Sequence, residues 1–280
     1  MASVTRRPTL LPSALRVFDL SLGQMLWSRR SLFLALLLGG PLLLAALVRF
    51  AAVADPAALP RINGQRIGGL TLFGMMMWLL YIRFIVPVLG VFYGTALIAD
   101  EVDDRTITYL FARPIPRAAV LLGKYFAYLA CTSLLVLPSL VLLYFLVAPI
   151  GERGIGAGVP ALMADLATLV VGLAAYGALF AWVGARVKRP VVVGLVFAFG
   201  WEPGVLLFPG YLKQLTVAYY LQALVPHSMP SVSPVGSIMQ MLQPAPPSVA
   251  ASLAALGAIT VLTLWLAARA VESREYVLEP

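Results

Sequence analysis

The chain has 280 residues, of which 61% are hydrophobic and 11% charged, and its formal net charge is +8. An ordinary soluble domain carries roughly a quarter charged residues, so a water-soluble fold of this length would lack the polar surface to cover its core, and little length remains for a soluble domain beside membrane spans. The basic residues form no run of five and no stripe, which argues against nucleic acid as a partner, and the lone Cys131 permits no intrachain disulfide or CxxC pair.

The charged opening MASVTRRPTLLPSALRVFDL resembles a leader, but the first long apolar run starts only at Leu32 and has no convincing small-residue cleavage site, so it is expected to remain as a span. Ahead of it, Leu15, Phe18, Leu22, Met25 and Leu26 recur at helical spacing, with Arg16, Asp19 and Gln24 off that stripe. This predicts an interfacial elbow helix within residues 1–31. A bilayer-crossing helix needs about 20 mostly apolar residues. The stretches Leu32–Val53, Leu70–Ile98, Tyr125–Pro149, Met163–Ala185, Val191–Phe208 and Val249–Ala268 meet or approach that length. They predict an all-α membrane protein with six transmembrane helices in a domain over 32–269 and a short tail over 270–280.

Basic residues at span ends set orientation. With the N-terminus inside, one side holds Arg6, Arg7, Arg16, Arg29, Arg30, Arg105, Arg113, Arg117, Lys124, Arg186, Lys188, Arg189, Arg269 and Arg274. The other holds Arg49, Arg61, Arg66, Arg153 and Lys213. Fourteen against five predicts an inner-membrane protein with both termini cytoplasmic. Arg83 completes the set from the middle of the second span, where an arginine costs several kcal/mol unless paired or solvated. Two readings stay open for it: a structural partner for another helix, or a residue lining a translocation path. At about 43 Å by helical rise, the second span exceeds a 30 Å core and is expected to tilt, protrude or break near Pro87.

The loop after that span, 99–124, reads ADEVDDRTITYLFARPIPRAAVLLGK. Asp100, Glu101, Asp103 and Asp104 stand at the front of a stretch compatible with helix, where the helix dipole favours them. Ile107, Leu110 and Phe111 form an apolar edge, and Pro114 and Pro116 end the run. A short helix with one apolar edge suits a socket on a soluble partner; a solvated, topology-setting loop is the alternative. Farther along, Gly90 with Gly94 and Gly200 with Gly204 have the spacing for close helix packing. Glu202 stands near the outer end of the fifth span, beside Pro203 and Gly204, where an interfacial carboxylate is cheaper than Arg83. The outer-face segment 210–247 opens with an amphipathic stretch, Gly210 to His227, whose Tyr211, Tyr219 and Tyr220 suit a headgroup-level belt capping the outer face. His227, the only histidine, has no companion ligands and reads as a loop residue.

Catalytic motifs are missing. There is no GxxxxGK[ST] loop for nucleotide phosphates, no GxSxG, no HExxH and no internal repeat of the secondary-transporter kind. Instead, Glu101, Thr106, the apolar run, Pro114, Arg117, Gly123 and Lys124 resemble the E...GT...LL..P..R......GK pattern of ABC-2 type permeases, including those of copper-maturation systems for nitrous oxide reductase. Asp100 and Arg105 replace glycines often found in that pattern. The resemblance is specific over roughly 25 residues.

It implies six spans, an elbow helix, a permease homodimer and two copies of a separate ABC ATPase, with ATP and magnesium on that partner and no cofactor or metal on this chain. It also casts the loop as a coupling helix, with Asp100, Glu101, Asp103, Asp104, Thr106, Ile107, Leu110, Phe111 and Arg117 meeting the ATPase; Arg83 and Glu202, singled out by their place in apolar spans, are the candidate substrate-pathway or intramembrane polar residues. Membrane lipids are the remaining expected partner. Two alternatives stay open at this point: an ATP-driven assembly or signalling component that moves no substrate, and a membrane-embedded enzyme.

Overall fold

The computed structural model describes residues 10–27, 29–55, 61–62, 65–66, 68–98, 117–150, 155–207, 211–227 and 247–273. Among these, α1 is Leu10–Leu26 and α2 is Arg29–Ala54. A two-residue antiparallel ladder, β1 (Arg61–Ile62) with β2 (Gln65–Arg66), interrupts the connection to α3, Gly69–Ile98. This ladder of two residues per strand leaves the all-helical architecture unchanged. Then come α4 (Arg117–Val147), α5 (Val159–Arg186), α6 (190–207), α7 (Val217–Leu224) and α8 (Val249–Ser273).

Five of these helices are long and apolar enough to cross a membrane: α2, α3, α4, α5 (counted from Gly156) and α8. The expected fifth of six spans, Val191–Phe208, is instead a shorter apolar helix, Pro190–Val205 in its apolar part. Its path explains the shortfall. It rises from the Arg186 end of α5 to Glu202 beside Tyr176, just past the middle of α5, and the chain then returns so that α7 begins at Glu202. Along α7, Leu221 packs over Gly172 of α5, which Val86 of α3 also approaches. The stretch expected to cap the outer face therefore packs between helices over 217–227, with Val217, Ala218 and Leu221 buried and Tyr219 and Tyr220 half-buried.

The axis of the bundle is α5, which touches α3, α4, α6, α7 and α8. Lipid tails provide no hydrophobic drive between helices, so close packing by small residues and hydrogen bonds must hold them. On α3, a Cβ at Gly94 would lie 3.0 Å from the Gly177 carbonyl oxygen, and on α5 a Cβ at Gly184 would lie 2.3 Å from that of Thr95. The expected Gly90–Gly94 surface is thus a real contact with α5. The Gly200–Gly204 pair is not: Gly204 has nothing within 4 Å and Gly200 meets only Val196 at 3.9 Å. Buried tyrosines add polar ties. Tyr81 meets Ser139 at 3.1 Å, while Tyr125 and Tyr128 donate to the α5 carbonyls of Ala174 and Leu173 at 2.9 and 3.1 Å.

At one end of the bundle, α1 crosses α4 at Gly123, where a Cβ would come within 2.6 Å of the Ala14 carbonyl oxygen. The face of α1 turned inward carries the buried Ser13 and Ser21, while Leu15 of the expected apolar stripe is 61% exposed. Arg117, at the start of α4, donates to the Val271 and Glu272 carbonyls that end α8, at 3.5 and 3.4 Å. Helix α1, the start of α4 and the end of the last helix therefore share one side. At the opposite side, Arg49 of α2 donates to the Leu146 carbonyl near the end of α4 at 3.2 Å, and the Gly69 amide bonds the Ile150 carbonyl at 2.6 Å.

Candidate functional site

Proline shapes the centre of the bundle. Pro87 has no N–H to donate, and its ring would strike the carbonyl four residues back, that of Arg83. The helix passes this point without breaking, because a π-helical turn over Met77–Ile85 widens it ahead of the α-helical turn Val86–Leu89. In α6, Pro203 stands in the same relation to Phe199, and a π-helical turn covers Phe197–Trp201. Such turns recur at functional sites. Here the two widened segments meet beside Tyr176 of α5 around an open cavity of about 160 Å³ lined by Ile82, Arg83, Pro87, Tyr176, Ala198, Phe199, Glu202 and Pro203.

The two polar residues singled out from the sequence, Arg83 and Glu202, thus line one cavity although 119 positions separate them. Their environments differ. Glu202 is 2% exposed, which replaces the expected interfacial placement with burial at the depth of Tyr176. The Tyr176 hydroxyl donates to its Oε2, and the Val217 amide donates to its Oε1 at 3.1 Å, with the Ala218 amide also bonded to the carboxylate. A carboxylate on the first amides of α7 satisfies donors that the helix cannot pair internally, and it meets the favourable end of the helix dipole. Glu202 therefore acts as the cap of α7.

Arg83 is half-buried, and no described carboxylate forms a direct ion pair with it. Its guanidinium lies 5.8 Å from the centre of the Trp78 ring, at the outer range of a cation–π contact, and close enough to Glu202 and Tyr176 to act on them through space. The cavity thus presents one cation with unfilled hydrogen-bonding capacity next to an anion that accepts from three donors.

A second polar cluster lies at the side where α3 and α5 begin. Asp165, fully buried, accepts from His227 Nε2 at 2.7 Å, and the imidazole packs edge-on against Phe73 at 5.6 Å between ring centres. Gly74 makes room for that ring, since a Cβ there would lie 2.7 Å from it. The only histidine is therefore a latch between the end of α7 and two spans, not a free loop residue. Asp165 Oδ1 has no described partner. Among the described residues no group of three His, Cys, Asp or Glu side chains could hold a metal ion.

Of the expected coupling residues, Asp100, Glu101, Asp103, Asp104, Thr106, Ile107, Leu110 and Phe111 lie outside the described residues. Arg117 is described, and it caps α8 as given above. The sequence reading missed Tyr176 and Asp165, which are single polar groups in apolar runs. A signal for the cavity was nonetheless present, in the two prolines each placed four residues after a cavity-lining residue.

A family model described as ABC-2 family transporter protein matches residues 19–271, which takes in α2 through α7, the whole loop over 99–116 and all but the last two residues of α8. No curated protein matches the chain. The match is to the family at large, and the narrower resemblance to copper-maturation permeases rests on the loop motif alone.

Proposed function

We propose that the chain, which belongs to the ABC-2 family of transporter proteins, is the membrane-embedded half of an ATP-driven exporter, working as a homodimer with two copies of a separate ATPase. Membership makes it a multi-pass transmembrane permease subunit, and subunits of this family normally work with an ABC ATPase. The observation that carries the reading is the extent of the match, which runs from within α1 to the last turn of α8.

In this reading, α1 is the elbow helix on the inner leaflet and the 99–116 loop is the coupling helix that enters the ATPase. Arg117 supports such a role, because it links the end of that loop to the end of α8, so a push on the loop reaches two spans together. Arg83 and Glu202 line the substrate path, and ATP with magnesium belongs to the partner chain. Both termini face the cytoplasm of the inner membrane. Co-expression with a candidate ATPase tests the assignment: the two chains should purify together, and vesicles containing both should hydrolyse ATP faster than the ATPase alone. An ATPase-independent turnover by the purified chain would instead favour a membrane enzyme.

A further inference from the structure

We propose that the cavity between α3, α5 and α6 binds the anionic head of a single-headed amphiphile, with the Arg83 guanidinium as the anion's partner and the chain lying along Phe84 and Phe199. The inference gives a substrate class to the cavity read above as the transport path, and rests on that reading.

Three observations carry it. First, hydrogen bonding: an intramembrane arginine is costly unless its donors are met, and Glu202, although it acts on Arg83 through space, forms no direct ion pair with it. The Glu202 oxygens accept instead from the Tyr176 hydroxyl and the Val217 and Ala218 amides. A guanidinium carries five N–H donors in a fork suited to carboxylate and phosphate oxygens, and the Trp78 face engages none of them directly.

Second, access: Phe199 lines the cavity and is 42% exposed, and it pairs with Phe84, 45% exposed, at 5.8 Å between ring centres. The cavity therefore opens on the flank of the bundle between α3 and α6 at the depth of Tyr176. A molecule dissolved in the bilayer reaches that opening directly, whereas a hydrated ion would have to cross hydrocarbon. Third, size: about 160 Å³ holds about five water volumes, enough for a carboxylate or phosphate group and too little for a saccharide chain. The apolar flank supplies the seat for an alkyl tail, with Leu79 exposed one turn from Arg83.

The shared chemistry is an anionic head on an apolar chain, and two sources could provide it: a free fatty acid or a phosphate-headed lipid. Bromine quenching of Trp78 separates them. The full chain, with Trp27, Trp182, Trp201 and Trp265 changed to Phe, is placed in phosphatidylcholine nanodiscs and titrated with dibromostearate, with dibrominated phosphatidic acid, and with a dibromoalkyl trimethylammonium of matched length. Saturable quenching by at least one anion, at a mole fraction lower than the cation requires, is expected, and the anion that saturates first identifies the head. Arg83→Gln should raise the half-quenching point by about tenfold or more, the loss expected for one charge-assisted contact. Glu202→Gln, which removes a neighbouring negative charge, should lower it. Arg83→Lys keeps the charge if the glutamine variant fails to insert, and it should retain the preference for anion over cation.

Equal curves for anions and cation in the parent would overturn the proposal, as would an Arg83→Gln curve that matches the parent. No ATPase is present in this experiment. A chain that binds anions but couples to no ATPase would sink the exporter reading and leave the site standing, while a coupled chain without anion preference would do the reverse.

Discussion

Glu202 shows how much one buried carboxylate can organise. Its oxygens take the Tyr176 hydroxyl and the first amides of α7, so it fixes the depth at which the chain re-enters the bundle. Removing an acceptor and leaving its donors buried costs about 1–3 kcal/mol per group. Glu202→Ala should therefore destabilise the chain by about 3 kcal/mol in detergent-mixture unfolding, and Glu202→Gln, which keeps one acceptor oxygen, by clearly less. Equal stability of the alanine variant and the parent would mean that water or another group serves these donors. Gly123 makes a steric counterpart. Overpacking a close contact costs about 1–3 kcal/mol, so Gly123→Val should lift α1 off α4. A cysteine introduced as Ser13→Cys, at a position 5% exposed, should become reactive to maleimide only in that background; unchanged protection would show that α1 is held elsewhere.

At the scale of elements, helices α2 to α5 and α8 were legible because their apolar runs exceed the bilayer thickness and nothing else in the sequence competes with that signal. The path of α6 and α7 was not. Periodicity marks Val191–Phe208 as apolar, but it cannot show that the chain turns back at its end so that the Val217 amide reaches Glu202, since that depends on a contact across 15 positions. The same holds for the His227–Asp165 latch, whose members are 62 positions apart and each bland in isolation. Arg83 was recognised by its cost, yet its pairing with a cavity required knowing that two proline-widened turns face each other. Arg117 makes the element-level link between the loop and the last helix. Arg117→Met should keep the spans inserted but weaken that link. The expected readout is a reduced response of the partner ATPase, by several-fold, with unchanged co-purification. An unchanged response would make Arg117 a local cap only.

For the whole molecule, the ties at each end of the bundle put the start of α4 and the end of α8 on one side, and the orientation proposed from the fourteen-to-five distribution of basic residues predicts that this side faces the cytoplasm. Cysteines placed singly as Ser3→Cys, Asp104→Cys and Ser233→Cys should label from inside, inside and outside. Outside labelling of Asp104→Cys in intact cells would reverse the orientation and remove the coupling loop from reach of any cytoplasmic ATPase.

The claim that this chain is driven through its first cytoplasmic loop rests on the apolar edge Ile107, Leu110 and Phe111. If the Phe111 ring is fully covered by the ATPase, Phe111→Ala forfeits up to about 3 kcal/mol, a loss of roughly a hundredfold in partner affinity. A charge change at Asp103 or Asp104 should cost under about 1 kcal/mol, as exposed ion pairs do. The direct measurement is stimulation of ATP hydrolysis in vesicles containing both chains, compared across the parent, Phe111→Ala, Leu110→Asp and Asp104→Asn. Loss of stimulation in the first two variants with the third near the parent, all inserting equally, is the predicted result; full stimulation and full partner affinity in both Phe111→Ala and Leu110→Asp would contradict it.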